Sequence, residues 1–455
     1  MAPRICFVGG GSYQWTPKLI LDIANTPSLT DAEIVLEDID PRPLPAMVDF
    51  VDHVAKVRGV GLRASASTNQ RDAMAGADFV VVCISTGALD SMQHDIAIPE
   101  RYGIRQPVGD TVGPGGILRA LRNVPVIASI ARDMETMCPD AWLLNLTNPL
   151  TTLTRAVLRC SDVVAIGLCH EVTITQHTLS MLLGCDMRAM RPSVAGVNHL
   201  PFITRLDIGG RDGLEQLRAL LADDTALDAP LVIPAITGHE AVSAGGEFTV
   251  RSLLESQRVK LELFDQFGVL PAAGDRHLVE FFPFFLTAES GWGERWGVGL
   301  TSMDDRRRWL AHYQREFKRL REATEMPREP SGEMVAAIID SRVRDRTREL
   351  PLNIANHGQV PDAPGAVVVE SMVTVDASGP RGRDVEPLPR VLADCLRRIV
   401  AEQELVVEAA LTGDRRLVHE AMLLDPLASR IDYDAIGRMT DDMMAATARW
   451  LPQFA

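Results

Sequence analysis

The sequence predicts an α/β protein: a doubly wound, mostly parallel sheet followed by an α+β, largely helical second half. Two observations predict it. Across the first 200 residues, short apolar runs alternate with amphipathic stretches, the rhythm of successive βαβ units; the runs are too brief for buried helices and rich in β-branched side chains. Beyond residue 200 that rhythm stops and helical patterns dominate.

The strands are expected at Arg4–Val8, Glu33–Glu37, Phe79–Ile84, Trp142–Leu146 and Val163–Leu168. The helices between them are expected at Pro17–Ala24, Leu44–Val57, Leu118–Met137, Thr151–Arg159 and Thr173–Leu183. In the second half, Leu206–Gly245 mixes turns with short helical pieces, and Leu253–Phe267 and Asp304–Ala323 read as helices. The valine density of Ala366–Val375 suits a strand. From Arg390 onward the chain reads as helical, with Gly413-Asp414 as a turn. There is no internal repeat and no Ser/Gly linker, so a division into residues 1–200 and 201–455 gives two lobes that share a core around a cleft.

A hydrophobic content of 46% with 24% charged residues is the balance of a globular enzyme. The net charge of −15 argues against a nucleic-acid footprint, which needs a basic stripe. It also gives no long-range attraction for an acidic ligand, so selectivity for one must be local. The cysteines, at 6, 83, 138, 160, 169, 185 and 395, are odd in number and form no CxxC pair, as expected of reduced thiols in a cytoplasmic protein. The first apolar run, Ile5–Val8, is shorter than a signal peptide requires. No run approaches the roughly 20 apolar residues of a membrane helix.

Arg4–Val8 passes directly into Gly9-Gly10-Gly11-Ser12, and a helix begins near Pro17. Glycines there let the backbone approach a pyrophosphate, and the helix N-terminus supplies oriented N–H donors. The next strand ends in Asp38, which can accept hydrogen bonds from an adenosine ribose and disfavours a 2′-phosphate, hence NAD over NADP. Gly9, Gly11, Ser12 and Asp38 are therefore the candidate cofactor contacts of a Rossmann-type half. Alone the glycine run is a weak signal: Gln14 stands where G-x-G-x-x-G has its third glycine, and a plain strand–helix turn reads the same.

Four polar clusters interrupt the apolar pattern where strands should end at their carboxyl side, the edge at which open α/β sheets bind ligands. They are Gly109-Asp110-Thr111 with the following Gly113-Pro114-Gly115-Gly116 and a helix carrying Arg119 and Arg122; Thr147-Asn148-Pro149; Cys169-His170-Glu171; and Asn198-His199. Cys169 and His199 could form a thiolate–imidazole metal site, which on chemistry alone suits zinc. A lone cysteine at a strand end is as readily core filler.

Taken together, these motifs resemble family 4 of the glycoside hydrolases. The resemblance is carried by Gly9–Ser12, Gly113-Pro-Gly-Gly through Arg122, Leu146–Pro149, Cys169-His170, Gly196–His199 and Glu386–Pro389, in order along nearly the whole chain. It implies a fold like that of lactate and malate dehydrogenases and an NAD-dependent hydrolysis of an α-glycosidic bond. In that scheme the sugar is oxidised at C3, loses its C2 proton, eliminates the aglycone from C1, takes up water and is reduced again at C3. Ordinary glycosidases use two carboxylates instead. The resemblance makes Cys169 and His199 ligands of a divalent ion, typically Mn²⁺. It makes Asp275, in Gly274-Asp275-Arg276, the C2 base. Asp110 and His170 are rival candidates for the proton donor, Asp110 alternatively orienting water on the metal. Asn148, Asn198, Arg276 and His277 are assigned to the substrate. A homo-oligomer is expected on the same ground.

Phospho-sugar members resemble Cys-Asn or Cys-Asp followed by a proline, whereas this chain reads Cys169-His170-Glu171-Val172. Gly274–Glu280 resembles α-galacturonidase-like members, and Arg276 is the residue type that holds a carboxylate in a bidentate grip. A uronide is thus the expected substrate, with an α-galactoside, α-glucoside or α-glucuronide as alternatives. Arg276 could equally pair with Asp275 or Glu280. A lactate/malate-type dehydrogenase that consumes NAD would share the first half but leaves Cys169 and His199 without a role. A non-catalytic NAD-sensing protein leaves all four polar clusters unexplained.

Overall fold

The computed structural model describes residues 2–232 and 247–455; the end of the Leu206–Gly245 stretch lies outside the described residues. Six strands lie side by side in the order β3-β2-β1-β4-β5-β6, all parallel. They are β1 (Arg4–Val8), β2 (Glu33–Glu37), β3 (Arg63–Ser67), β4 (Phe79–Val82), β5 (Trp142–Asn145) and β6 (Val164–Gly167). The helices of this half are α1 (Thr16–Asn25), α2 (Leu44–Arg58), α3 (Gln70–Met74), α4 (Ala88–Arg101), α5 (Gly113–Met137), α6 (Leu150–Cys160) and α7 (Glu171–Leu183). The two-residue repeat of a strand sends Ile5 and Phe7 into one core layer, with α1 and α2, and Cys6 and Val8 into the other, with α5 and α6. Both faces of the sheet are covered, which is why β1, β4 and β5 read as unbroken apolar runs. The strand order reverses between β1 and β4, the switch point that opens a crevice at the carboxyl edge.

The second half extends the same sheet. β7 (Met190–Val197) and β8 (Leu200–Ile208) form a hairpin around the turn Asn198-His199. Strands Arg348–Ala355 and Val368–Asp376 pair with each other and bridge the halves: Asn353 faces Gly167 of β6, while Glu370 and Ser371 face Gly196 and Ala195 of β7. Helix Arg390–Thr412 packs its Leu392, Leu396 and Val406 into the cluster that holds Leu121 of α5 and Leu153 of α6. Among the described residues no helix is long and apolar enough to cross a membrane.

The structure differs from the sequence expectations where tertiary contacts override local pattern. β3, Arg-Ala-Ser-Ala-Ser, lacks an apolar run because it is the sheet edge and largely exposed. α5 begins at Gly113, not Leu118. Its glycine-rich first turn is held by partners distant in sequence: the Asp425 carboxylate accepts from the Gly113 N–H at 2.8 Å, and the Gln106 side-chain oxygen accepts from Gly115 at 2.9 Å. The helix expected at Leu253–Phe267 is two helices, Val250–Glu255 and Arg258–Phe267. The second starts anew because Asp275 accepts from its Val259 and Lys260 amides, at 2.9 and 3.0 Å. That end-on carboxylate satisfies amides that a helix start leaves open.

Candidate active site

At the β1–α1 turn, Gly9 has φ +86°, and a Cβ there would stand 2.0 Å from the Cys83 carbonyl oxygen. Only glycine fits. The Gly9 and Gly10 amides donate to the Glu37 carbonyl at 2.9 and 2.7 Å, drawing the turn against the end of β2. Asp38 follows directly: its carboxylate accepts from the Gly11 N–H at 3.0 Å and from Asp40 at 2.9 Å. A Cβ on Gly11 would meet Asp38 Oδ2 at 2.8 Å. Gly9, Gly11, Ser12 and Asp38 are thus brought together at the crevice, with the N-terminus of α1 behind them and Ile39, 91% exposed, at its lip. A cradle of bare backbone beside a carboxylate fits a dinucleotide.

Asp110, Thr111 and His199 form a relay. The Thr111 hydroxyl donates to Asp110 at 2.8 Å, and His199 Nδ1 lies 3.0 Å from the same oxygen. A hydroxyl has one proton, so Nδ1–H must be the donor to Thr111, and Nε2 keeps its lone pair. His199 sits in the hairpin turn at φ +65°, a left-handed conformation seldom held by a non-glycine residue unless the site requires it. Its ring stacks on His277, centroids 3.6 Å apart. Burial and the adjacent His277 pull its pKa down to about 3, so it is neutral and able to bind a metal. Burial pushes Asp110 up but is outweighed by His199, Arg119 and His277, which leave it at about 2 and ionised. Asn148 donates to Asp110 at 3.4 Å, and its carbonyl accepts from Arg119 at 2.9 Å.

Cys169 ends the loop after β6, buried, its thiol pushed well above the ordinary range by burial and by Glu370 and Glu171. Beside it lies Asn198, fully buried, its side chain set against the Cys169 thiol and the Glu370 carboxylate. A soft thiol and an imidazole with a free Nε2 are donor types that fit a divalent ion. Among the described residues no group of three or more His, Cys, Asp or Glu is placed to hold a metal ion, so substrate or water would supply the remaining ligands of an ion bound here.

His170, beside Cys169, has its Nδ1 3.2 Å from Glu333, which also accepts from Lys18 of α1 at 2.8 Å. Burial works against its charge, but Glu333 prevails and raises its pKa. The Asp275 carboxylate lies apart from this relay. Both its oxygens hold the helix amides described above, beside the buried Lys260, and burial raises it to about 6. Its neighbour Gly274 nonetheless donates to Glu171 at 2.6 Å, so it borders the site. Arg276 donates to the Pro107 carbonyl at 2.8 Å and forms no ion pair with Asp275 or Glu280 among the described residues.

Sequence reading missed Glu333 and Arg306, and weighed Glu280 only as an ion-pair partner of Arg276. Glu333 lies in a loop without periodicity. Arg306 is hidden in Arg306-Arg307-Arg308 of an amphipathic helix, Met303–Glu322. Glu280 reads as a surface helix residue yet is fully buried, accepting from Val108 and Gly109 at 2.8 Å each. Of the sequence-singled arginines, Arg122 is structural, paired with Asp95 with neither side chain exposed.

A glycine turn beside Asp38 and a cluster of buried ionisable groups thus lie at the carboxyl edge of a Rossmann-type sheet. The chain belongs to family 4 of the glycosyl hydrolases: residues 4–185 match the Family 4 glycosyl hydrolase model and residues 194–428 its C-terminal domain. An α-galacturonidase of Bacillus subtilis is 32% identical over 97% of this chain and 96% of its own. An α-galactosidase of the same organism is 29% identical over 99% of both. A B. subtilis crystal structure described as that of a candidate glucosidase superposes with a TM-score of 0.85 at 30% identity, covering 97% of this chain and 99% of that one. A 6-phospho-α-glucosidase from gut microorganisms, solved with NAD and Mn²⁺, gives 0.79 at 19% identity over the whole of both chains. The malate dehydrogenase of Plasmodium falciparum gives 0.52 at 10%, covering 91% of this chain and 99% of that one, a likeness of fold.

Proposed function

We propose that this enzyme hydrolyses an α-galacturonide by oxidation at C3, removal of the C2 proton and elimination from C1. Bound NAD⁺ would accept and return hydride at C3, and a divalent ion such as Mn²⁺ would polarise the C2 and C3 oxygens. Gly9, Gly11, Ser12 and Asp38 hold the dinucleotide; Cys169 and His199, steadied through Thr111 by Asp110, hold the ion, with Asn148, Asn198 and His277 toward the sugar. The single observation that carries the reading is Glu333. Its carboxylate joins Lys18 of α1, the helix behind the proposed nucleotide turn, to His170 beside Cys169, which supports placing both proposed sites in one crevice.

Asp275, with a pKa near 6 and a carboxylate fixed by two amides, is the C2 base. Asp110, already ionised, serves to orient His199 and balance Arg119, which leaves His170, held by Glu333, as the proton donor. All seven cysteines are free, as suits a reducing cytoplasm, and a homo-oligomer accords with the family resemblance. An α-galactoside is the second reading, favoured by the relative of that name which aligns over 99% of the chain.

The test is hydrolysis in D₂O with NAD⁺ and Mn²⁺, over a panel of α-galacturonide, glucuronide, galactoside, glucoside and 6-phosphoglucoside. Aglycone release that requires NAD⁺, accumulates no NADH and leaves deuterium at C2 is expected. Product without C2 deuterium sinks the elimination scheme; NADH accumulating with product favours a dehydrogenase.

A further inference from the structure

Three half-buried guanidiniums gather at the Asp110 loop without a carboxylate in ion-pair contact. Arg306 donates to the Val108 carbonyl and Arg276 to the Pro107 carbonyl, both neutral acceptors. Arg119 donates to the Asn148 carbonyl and to the Ser85 hydroxyl. Among the described residues none of the three forms an ion pair, in contrast to Arg122 on Asp95. The Nε atoms of Arg276 and Arg306 are buried and have no hydrogen-bond acceptor.

Like charges brought together under partial burial repel. The repulsion shows in Arg306, whose affinity for its proton is lowered by burial and by Arg276 and Arg119, with Asp110 opposing. Glu280 offsets it only in small part. One oxygen is spent on two amides, the other has no partner, and burial pushes it up to about 8, so it is mainly neutral at pH 7. Asp110 is left as the ionised carboxylate that chiefly opposes this charge, with Asp95, already paired to Arg122, acting more weakly on Arg119. The cluster therefore carries an excess of cation and vacant donors, the electrostatic form of an anion site.

Its architecture is rigid. The segment Pro107–Gly109 is gripped on its carbonyls by Arg276 and Arg306 and on its amides by Glu280, so both forks are fixed beside Asp110. Arg276 also adjoins His277, whose ring lies on His199. An anion held there would lie on the side of the site that His277 and His199 line.

We infer that Arg306 acts with Arg276 as the clamp for the carboxylate of the substrate sugar, and that this pair sets the preference for a uronide over its neutral counterpart. The inference rests on the α-uronide reading above. Arg306 is the new element: it reaches the Asp110 loop from a helix far along the chain, and its charge lies among those of Arg276, Arg119 and Asp110. A carboxylate is favoured over a phosphate because the α-galacturonidase relative aligns over nearly the whole chain.

The experiment uses the enzyme loaded with NAD⁺ and Mn²⁺ and compares p-nitrophenyl α-galacturonide, α-galactoside and 6-phospho-α-galactoside. Arg306→Ala and Arg276→Ala should each lower kcat/KM on the galacturonide by about 10- to 100-fold, as expected for a charge-assisted bond, and change the galactoside by less than about 3-fold. Arg306→Lys, which keeps the charge but not the fork, should recover part of the preference. Binding of free galacturonate, followed by calorimetry, should weaken in the alanine variants in parallel, while binding of galactose does not. A wild-type enzyme that prefers galactoside overturns the uronide reading and the clamp with it. A wild-type preference for galacturonide that survives in Arg306→Ala, or equal losses on both sugars, overturns the clamp alone. Faster turnover of the phosphorylated sugar overturns the carboxylate.

Discussion

Gly9→Ala tests the nucleotide cradle most directly. Two costs are visible in the structure. The backbone at φ +86° is left-handed, where an L-residue with a Cβ pays about 1–2 kcal/mol. The added Cβ would also stand 2.0 Å from the Cys83 carbonyl oxygen, against a lower limit near 3.0 Å, so the β1–α1 turn must move about 1 Å away from the end of β4. That movement breaks the hydrogen bonds that the Gly9 and Gly10 amides donate to the Glu37 carbonyl and shifts Gly11 from Asp38. The expected loss of stability is about 2–4 kcal/mol, strain and lost bonds together. The loss of NAD⁺ affinity should be at least tenfold, because the pyrophosphate needs that backbone in place. The assay is a thermal melt with and without NAD⁺: a ligand at 100 times its Kd adds about 2.7 kcal/mol to the wild type, which the variant should largely forfeit. A variant with wild-type melting and an undiminished NAD⁺ shift refutes the argument.

Asp275→Asn should do two things. It should cost about 1–3 kcal/mol in urea unfolding, because the amide can accept from only one side and leaves a buried helix N–H unmatched. It should also lower turnover by about 10²–10⁴-fold; turnover within tenfold of wild type would make Asp275 a helix anchor only. Cys169→Ser and His199→Ala should each fold, retain NAD⁺ binding and lose Mn²⁺-dependent activity, and chelation should mimic them; full activity in chelated enzyme would refute the metal assignment. Burial raises Glu333, but His170 and Lys18 outweigh it and hold it at about 2, against an unfolded value of 4.5, so its stabilising share is present above pH 4.5 and lost as pH falls toward 2. His170 is shifted upward, so its share is present below pH 6.5 and lost as pH rises through its folded value. Glu333→Gln should therefore destabilise most near pH 5, and urea midpoints at pH 3, 5 and 8 with a constant difference from wild type would contradict the pairing.

Much of this protein was legible along the chain. β1, β2, β4, β5 and β6 are buried on both faces, so their apolar runs announce them, and the glycine turn and Asp38 follow from the order of strand and turn. The polar clusters at 110, 148, 169–170 and 198–199 stood out because ionisable residues at strand ends break an apolar pattern, and the ordered motif set marked the family. Other features existed only once the chain folded. β3 has no pattern because the sheet edge requires none, and the first turn of α5 is fixed by Asp425, more than half the chain away. The proton arrangement on His199 depends on a threonine hydroxyl shared with Asp110, a contact across the β7–β8 turn. Arg306 and Glu280 look like helix-surface charges in sequence. They became a clamp and its brace only because burial and the Pro107–Gly109 backbone brought them together, and burial and neighbouring charge are properties of the folded chain alone.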